Sequence, residues 1–240
     1  MTTQPLNWST MKNIKSIYYL LILTIFMGGK LQAQDWANLN KYQNENATLK
    51  PLETGQKRIV FMGDSITEFW LVNNPEFFAG KQYANRGISG QTTPQMLVRF
   101  RADVIALKPE IVVLLAGIND IAGNTGPSTL AMITDNIFSM AELAKANNIK
   151  IILCSVLPAF DFPWRLGSFP AEKVVTLNKM IKQYADANEI MYLDYYSVMV
   201  NDKKGLKAEY SGDGVHPNKT GYEVMNPLVE KAIKKVLSQK

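Results

Sequence analysis

Ser65 follows the apolar run "RIVFMG" (58–63) inside the stretch "FMGDSITEFW". A serine opening a helix meets unpaired backbone N–H groups and the positive end of the helix dipole, which favour developing negative charge. The same position also suits a serine that merely caps the helix. The stretch "NRGISGQTTP" supplies Gly87 and Gly90, where a missing Cβ lets a peptide N–H approach a ligand closely. Asn119 follows a second apolar run in "LLAGINDIAGNTGP", and its amide can either donate to an anion or close an Asx turn. Finally, "YSGDGVHPNKTGY" holds Asp213 and, three positions on, His216, the only histidine of the chain. A carboxylate that near can accept the Nδ1–H, fix the tautomer and leave Nε2 as a base. Together these residues supply a nucleophile (Ser65), a base (His216) and a group that orients it (Asp213). The backbone N–H groups of Ser65 and Gly90 and the Asn119 amide would hold an oxyanion. That is the equipment for attack on an ester carbonyl.

The elements that must position them are legible from hydrophobic patterning. Apolar runs occur at 58–63, 81–85 (weaker), 110–117, 150–158 and 190–195. Segments 92–107, 128–147, 171–188 and 218–238 carry apolar residues at helical spacing, and Thr92-Thr93-Pro94 is a hydroxyl cap before an early proline. Strands this apolar, alternating with helices, predict an α/β domain with a parallel sheet covered on both faces. Ligands of such sheets bind beyond the carboxyl ends of the strands, where the four polar loops emerge.

The motifs resemble those of the SGNH/GDSL hydrolases. The blocks read "GDSIT" (Ser65), "NRGISG" (Gly90), "GIND" (Asn119) and "DGVHPN" (Asp213, His216), in order, from about residue 36 to the C-terminus. The resemblance implies a three-layer, flavodoxin-like fold with a five-stranded parallel sheet. It also implies esterase, lipase or acylhydrolase activity that needs neither metal nor cofactor. "GDSITEFW" and "NRGISGQTTPQML" look most like the arylesterase and platelet-activating-factor-acetylhydrolase-like branch, in which the position of Phe69 is frequently glycine. A different serine-hydrolase architecture is disfavoured, because Gly63-Asp64-Ser65-Ile66-Thr67 lacks the second glycine of a G-x-S-x-G elbow.

Around this set, Asp64, Asp120 and Asp194 are expected to brace loops, with Asp64 also a candidate substrate contact. Cys154, the single cysteine, lies within "KIILCSVLP" and reads as a buried strand thiol. The 14-residue excursion "LPAFDFPWRLGSFP" (157–170) is long for a connection and such loops are often functional. Its Phe162, Trp164 and Arg165, with Phe69, are candidate substrate-binding residues. Its aromatic rings could stack on a sugar or line an acyl groove; equally, the excursion could be a packed lid or a dimer contact.

Composition sets the remaining bounds. Lys12 and Lys15, the 11-residue apolar run Ile17–Met27 and Leu31-Gln32-Ala33 have the layout of a signal peptide over residues 1–33, with Met11 an alternative start. Export to the periplasm or medium is therefore expected, with no stable membrane association once the signal is cleaved. Without those residues the chain has 23 basic and 21 acidic residues, a balance that gives no case for nucleic acid. Residues 34–57 read as an extension packing on the body and 58–240 as the hydrolase domain. The expected substrate is a small-molecule or glycan ester with a short acyl group, acetyl on carbohydrate foremost. A lysophospholipase or thioesterase acting on lipids is the alternative. A binding module using the loops as an anion or glycan cradle is the third reading, and it leaves the complete catalytic set unexplained.

Overall fold

The computed structural model describes residues 35–239; the expected signal segment lies outside them. A short helix, α1 (Gln43–Thr48), precedes the sheet. Five strands follow: β1 (Ile59–Gly63), β2 (Tyr83–Gly87), β3 (Ile111–Leu115), β4 (Lys150–Cys154) and β5 (Met191–Leu193). All neighbours are parallel, in the order β2-β1-β3-β4-β5. Every residue of β1 and β3 is buried, as expected of central strands with both faces covered. Cys154 is among the buried residues.

The helices are α2 (Ser65–Asn73), α3 (Thr93–Asp103), α4 (Ile118–Ala122), α5 (Leu130–Ala146), α6 (Ala171–Ala187), α7 (Tyr196–Met199) and α8 (Lys219–Ser238). α2 packs with α8, and α5 packs with both α3 and α6, so two helical layers enclose the sheet. The first layer rests on an aromatic cluster in which Trp70 stacks on Phe77 and Tyr222 and meets Phe61 edge-on. Trp70 is 2% exposed, so replacing it with alanine would cost about 3–5 kcal/mol.

Register explains why three of the four distant loops meet. Gly63 pairs with both Gly87 and Leu115, so β1, β2 and β3 end level and their loops leave from one edge. Glycine is required at position 87 by the close crossing of α2: a Cβ there would lie 2.7 Å from the Glu68 Cα. This pairing also carries β2 two residues beyond the expected run. The helical pattern expected to reach residue 107 ends at Asp103, and residues 105–107 form a 3₁₀ turn closed by Lys108 in the left-handed region. Residues 157–170 contain no helix or strand before α6.

Residues 36–48 lie against the loop after β2. The Tyr42 hydroxyl donates to Gly87 O, and Gln91 Nε2 donates to Ala37 O at 2.7 Å. The buried Arg86 guanidinium lies over the Tyr42 ring, 4.7 Å from its centroid, and bonds to Glu45 and Asn46.

Candidate active site

Ser65 is the first residue of α2, and the residue capping that helix is Asp64, whose Oδ1 accepts the Ile66 N–H at 2.9 Å. The serine is thereby spared the capping role, and its hydroxyl faces elsewhere: Ser65 Oγ lies 2.9 Å from His216 Nε2. On the other side of the ring, His216 Nδ1 is 2.6 Å from Asp213 Oδ2. An ionised carboxylate can only accept, so the proton of the neutral ring sits on Nδ1 and the Nε2 lone pair faces Ser65.

Asp213 is suited to that task. Burial would raise its pKa, but hydrogen bonds from the His216 ring and from the backbone N–H groups of His216 and Val215 hold the carboxyl down to about 2. Ser211 adds a hydroxyl donor at 3.1 Å. Immediately after the loop, the Asn218 side chain caps α8 by accepting the Gly221 N–H, so the turn from Asp213 to His216 is anchored by a long helix.

The structure brings Gly90 and Asn119 to the same place. Gly90 has φ +76°, in the region glycine adopts without strain. Asn119 lies in α4, with Nδ2 donating to Gln91 O at 3.1 Å. Asp120 joins α4 to the start of α3, accepting the Thr93 backbone N–H at 3.0 Å and its hydroxyl at 2.6 Å. Asp194 braces its own turn through Ser197.

A pocket of about 320 Å³ is lined by Ser65, Phe69, Ser89, Gly90, Asn119, Asn124, Trp164 and His216. Phe69 and Trp164 flank the His216 imidazole, with ring centroids 5.4 and 5.9 Å from it. The other candidate contacts lie behind this wall. Phe162 is fully buried and stacks under Trp164 at 5.2 Å. Arg165 donates to Ala122 O and so supports the turn after α4 rather than lining the pocket. Asp64 is also fully buried, and its Oδ2 has no protein hydrogen-bond partner. Burial pushes its carboxyl up to about 7, against the pull of the Ile66 N–H and of His216.

Sequence reasoning passed over three polar residues at the site. Ser89 and Asn124 line the pocket. Glu68, one turn into α2, accepts both the N–H and the hydroxyl of Ser89 at 2.6 Å and pairs with Lys41. These partners hold its pKa below the usual glutamate value although burial acts the other way. For Glu68 the available signal was helical spacing, three residues beyond Ser65; Asn124 lies beyond the end of α4 and had no such signal.

Residues 61–224 match the sequence model described as the GDSL-like lipase/acylhydrolase family. The chain belongs to that family, whose members are carboxylic ester hydrolases. Among solved structures it is similar to a candidate acylhydrolase from Bacteroides fragilis NCTC 9343, at 50% identity and TM-score 0.83, covering 85% of this chain and 99% of that one. It is equally similar to a GDSL-like lipase from Bacteroides thetaiotaomicron VPI-5482, at 50% identity and TM-score 0.81, covering 83% and 98%. It is also 27% identical over 218 residues to an acetylxylan esterase of Xylanibacter ruminicola, covering 74% of this chain. The chain spans only 43% of the length of that relative.

Proposed function

We propose that this protein is a serine esterase that removes short acyl groups, acetyl foremost, from carbohydrate. The observation that carries the reading is the continuous line from Ser65 Oγ to His216 Nε2 (2.9 Å) and from His216 Nδ1 to Asp213 Oδ2 (2.6 Å). Ser65 attacks the ester carbonyl as His216 takes its proton, and His216 then protonates the leaving alcohol. Water repeats the sequence on the acyl-enzyme. Asp213 keeps the imidazole in the required tautomer and stabilises the imidazolium. The N–H groups of Ser65 and Gly90 and the Asn119 amide take the charge on the carbonyl oxygen.

Two features support a small acyl group and a sugar alcohol. Phe69 occupies space beside the reacting atoms, and Trp164, 47% exposed beside His216, offers a ring face where the leaving alcohol must sit. Similarity to an acetylxylan esterase agrees with this. The test is hydrolysis of acetyl, butyryl and octanoyl esters together with labelling by a serine-directed fluorophosphonate. His216→Ala should lose at least about 10³-fold in kcat, since no other imidazole is present to replace it. Ser65→Ala should show neither turnover nor labelling. Labelling that survives Ser65→Ala would remove the assignment.

A second reading keeps the same mechanism on lipid esters. Phe160, Leu166 and Phe169, 48%, 81% and 63% exposed, make an apolar rim along the 157–170 excursion that could meet acyl chains. Preference for octanoyl over acetyl esters would favour it.

A further inference from the structure

We propose that Asn124 is the positioning residue of the oxyanion hole, setting the orientation of the Asn119 amide and tying it to the loop that carries Gly90. The inference rests on the serine-esterase reading above. Asn124 Nδ2 donates to Asn119 Oδ1 at 2.9 Å and to Gly90 O at 3.2 Å. One side-chain amino group thus spans the two loops that supply donors.

The direction of each amide follows from its neighbours. Gly90 O can only accept, so the Asn124 atom facing it is the nitrogen. Gln91 O likewise can only accept, so the Asn119 atom at 3.1 Å from it is Nδ2. Asn119 Oδ1 is thereby turned toward Asn124, and its amino group keeps one hydrogen for Gln91 and one for the pocket. Were the Asn119 amide reversed, an oxygen lone pair would face the developing oxyanion and repel it. Asn124 blocks the reversal, because its donor would then meet a donor.

Asn124 is itself held from both sides. Its backbone N–H bonds to Asn119 O at 3.0 Å. The adjacent Thr125 hydroxyl meets that of Thr92 at 3.0 Å, and Arg165 takes Ala122 O at the start of the turn. The 157–170 excursion therefore supports the oxyanion hole through Arg165.

Asn124 is exposed at the pocket rim, so replacing it should leave the fold intact. In the full chain, Asn124→Ala should lower kcat on an aryl acetate roughly 10-fold or more with KM within about twofold, the mark of an interaction used in the transition state. Its unfolding midpoint and the pH at half-maximal kcat/KM should match the wild type. Asn119→Ala should lose roughly 10²–10³-fold. Because Asn124 acts through Asn119, the double variant should lose clearly less than the product of the two single losses. Wild-type kcat in Asn124→Ala, or a double variant equal to that product, would overturn the proposal. Should Asn124→Ala fail to fold, Asn124→Ser, which can donate to only one of the two oxygens, is judged by the same double-variant criterion. Full activity in Asn119→Ala would instead sink the oxyanion assignment on which the inference rests.

Discussion

The Tyr222 hydroxyl donates to Ile66 O at 2.7 Å, joining the first turn of α8 to the first turn of α2. The first of these helices follows His216 and the second begins with Ser65. Two further links continue the seam, Trp70 Nε1 to Asn226 Oδ1 at 2.9 Å and Asn226 Nδ2 to Asn74 Oδ1 at 2.8 Å. The short distance between His216 and Ser65 is thus built on helix contacts as well as on the two loops. Tyr222→Phe keeps the buried ring and removes only the donor. It should lower stability by about 1 kcal/mol, read from urea unfolding, with a modest fall in kcat. Stability equal to the wild type would mean that the link is incidental.

Asp64 gives the protein a distinctive dependence on pH. Burial lifts its pKa in the folded chain to about 7, from the usual aspartate value of 3.8, so between those values the folded chain holds a proton that the unfolded chain has lost. Stability from this group is complete at low pH and declines as pH rises towards about 7. Asn at this position keeps an oxygen for the Ile66 N–H and cannot ionise. Asp64→Asn should therefore gain stability relative to the wild type on going from about pH 5 to about pH 8. Urea unfolding of both proteins at the two pH values checks this, and a constant difference between them would refute it.

Phe69 and Trp164 should control different parts of the substrate. Phe69→Ala opens space beside Ser65 and should raise the butyryl-to-acetyl ratio of kcat/KM roughly tenfold, in the range for a methylene or two in an apolar pocket. Trp164→Ala should raise KM for acetylated sugars about 2- to 10-fold, the span that ring stacking of 0.5–1.5 kcal/mol implies. Aryl acetates serve as the comparison. Equal effects of Trp164→Ala on the sugar and aryl substrates would end the case for a sugar platform.

Much of this arrangement was legible in the sequence because the relevant signals are local. Ser65 and Asn119 each follow a run of buried strand residues, and Asp213 and His216 share one turn. The central strands β1 and β3 were clear because both their faces are apolar. The edge strand β2 was placed two residues early: its run mixes polar and apolar residues, and its end is set by pairing with Gly63. Arg165 looked like a substrate contact from its charge among aromatic rings, but its partner, Ala122 O, is 43 residues away. Glu68 and Asn124 escaped notice for a related reason. Each sits near a motif residue in sequence, yet it also bonds to atoms on another loop, Ser89 and Gly90 respectively. Local patterning reports which residues leave the sheet together. It does not report the partners they meet once the strands are level.

The contacts of residues 36–48 have a consequence for where this protein begins as a cooperative unit. The family match starts at residue 61, already inside β1. Upstream of it lie the Tyr42 hydroxyl on Gly87 O, the Ala37 carbonyl on Gln91, the Lys41 amine on Glu68, and Glu45 and Asn46 on the buried Arg86. Trimming the chain to the matched region would preserve every motif residue, yet strip Arg86 of its acidic partner and leave the Gly87–Gln91 turn without its outer wall. The boundary of the family match and the boundary of the working domain therefore fall at different places in the chain.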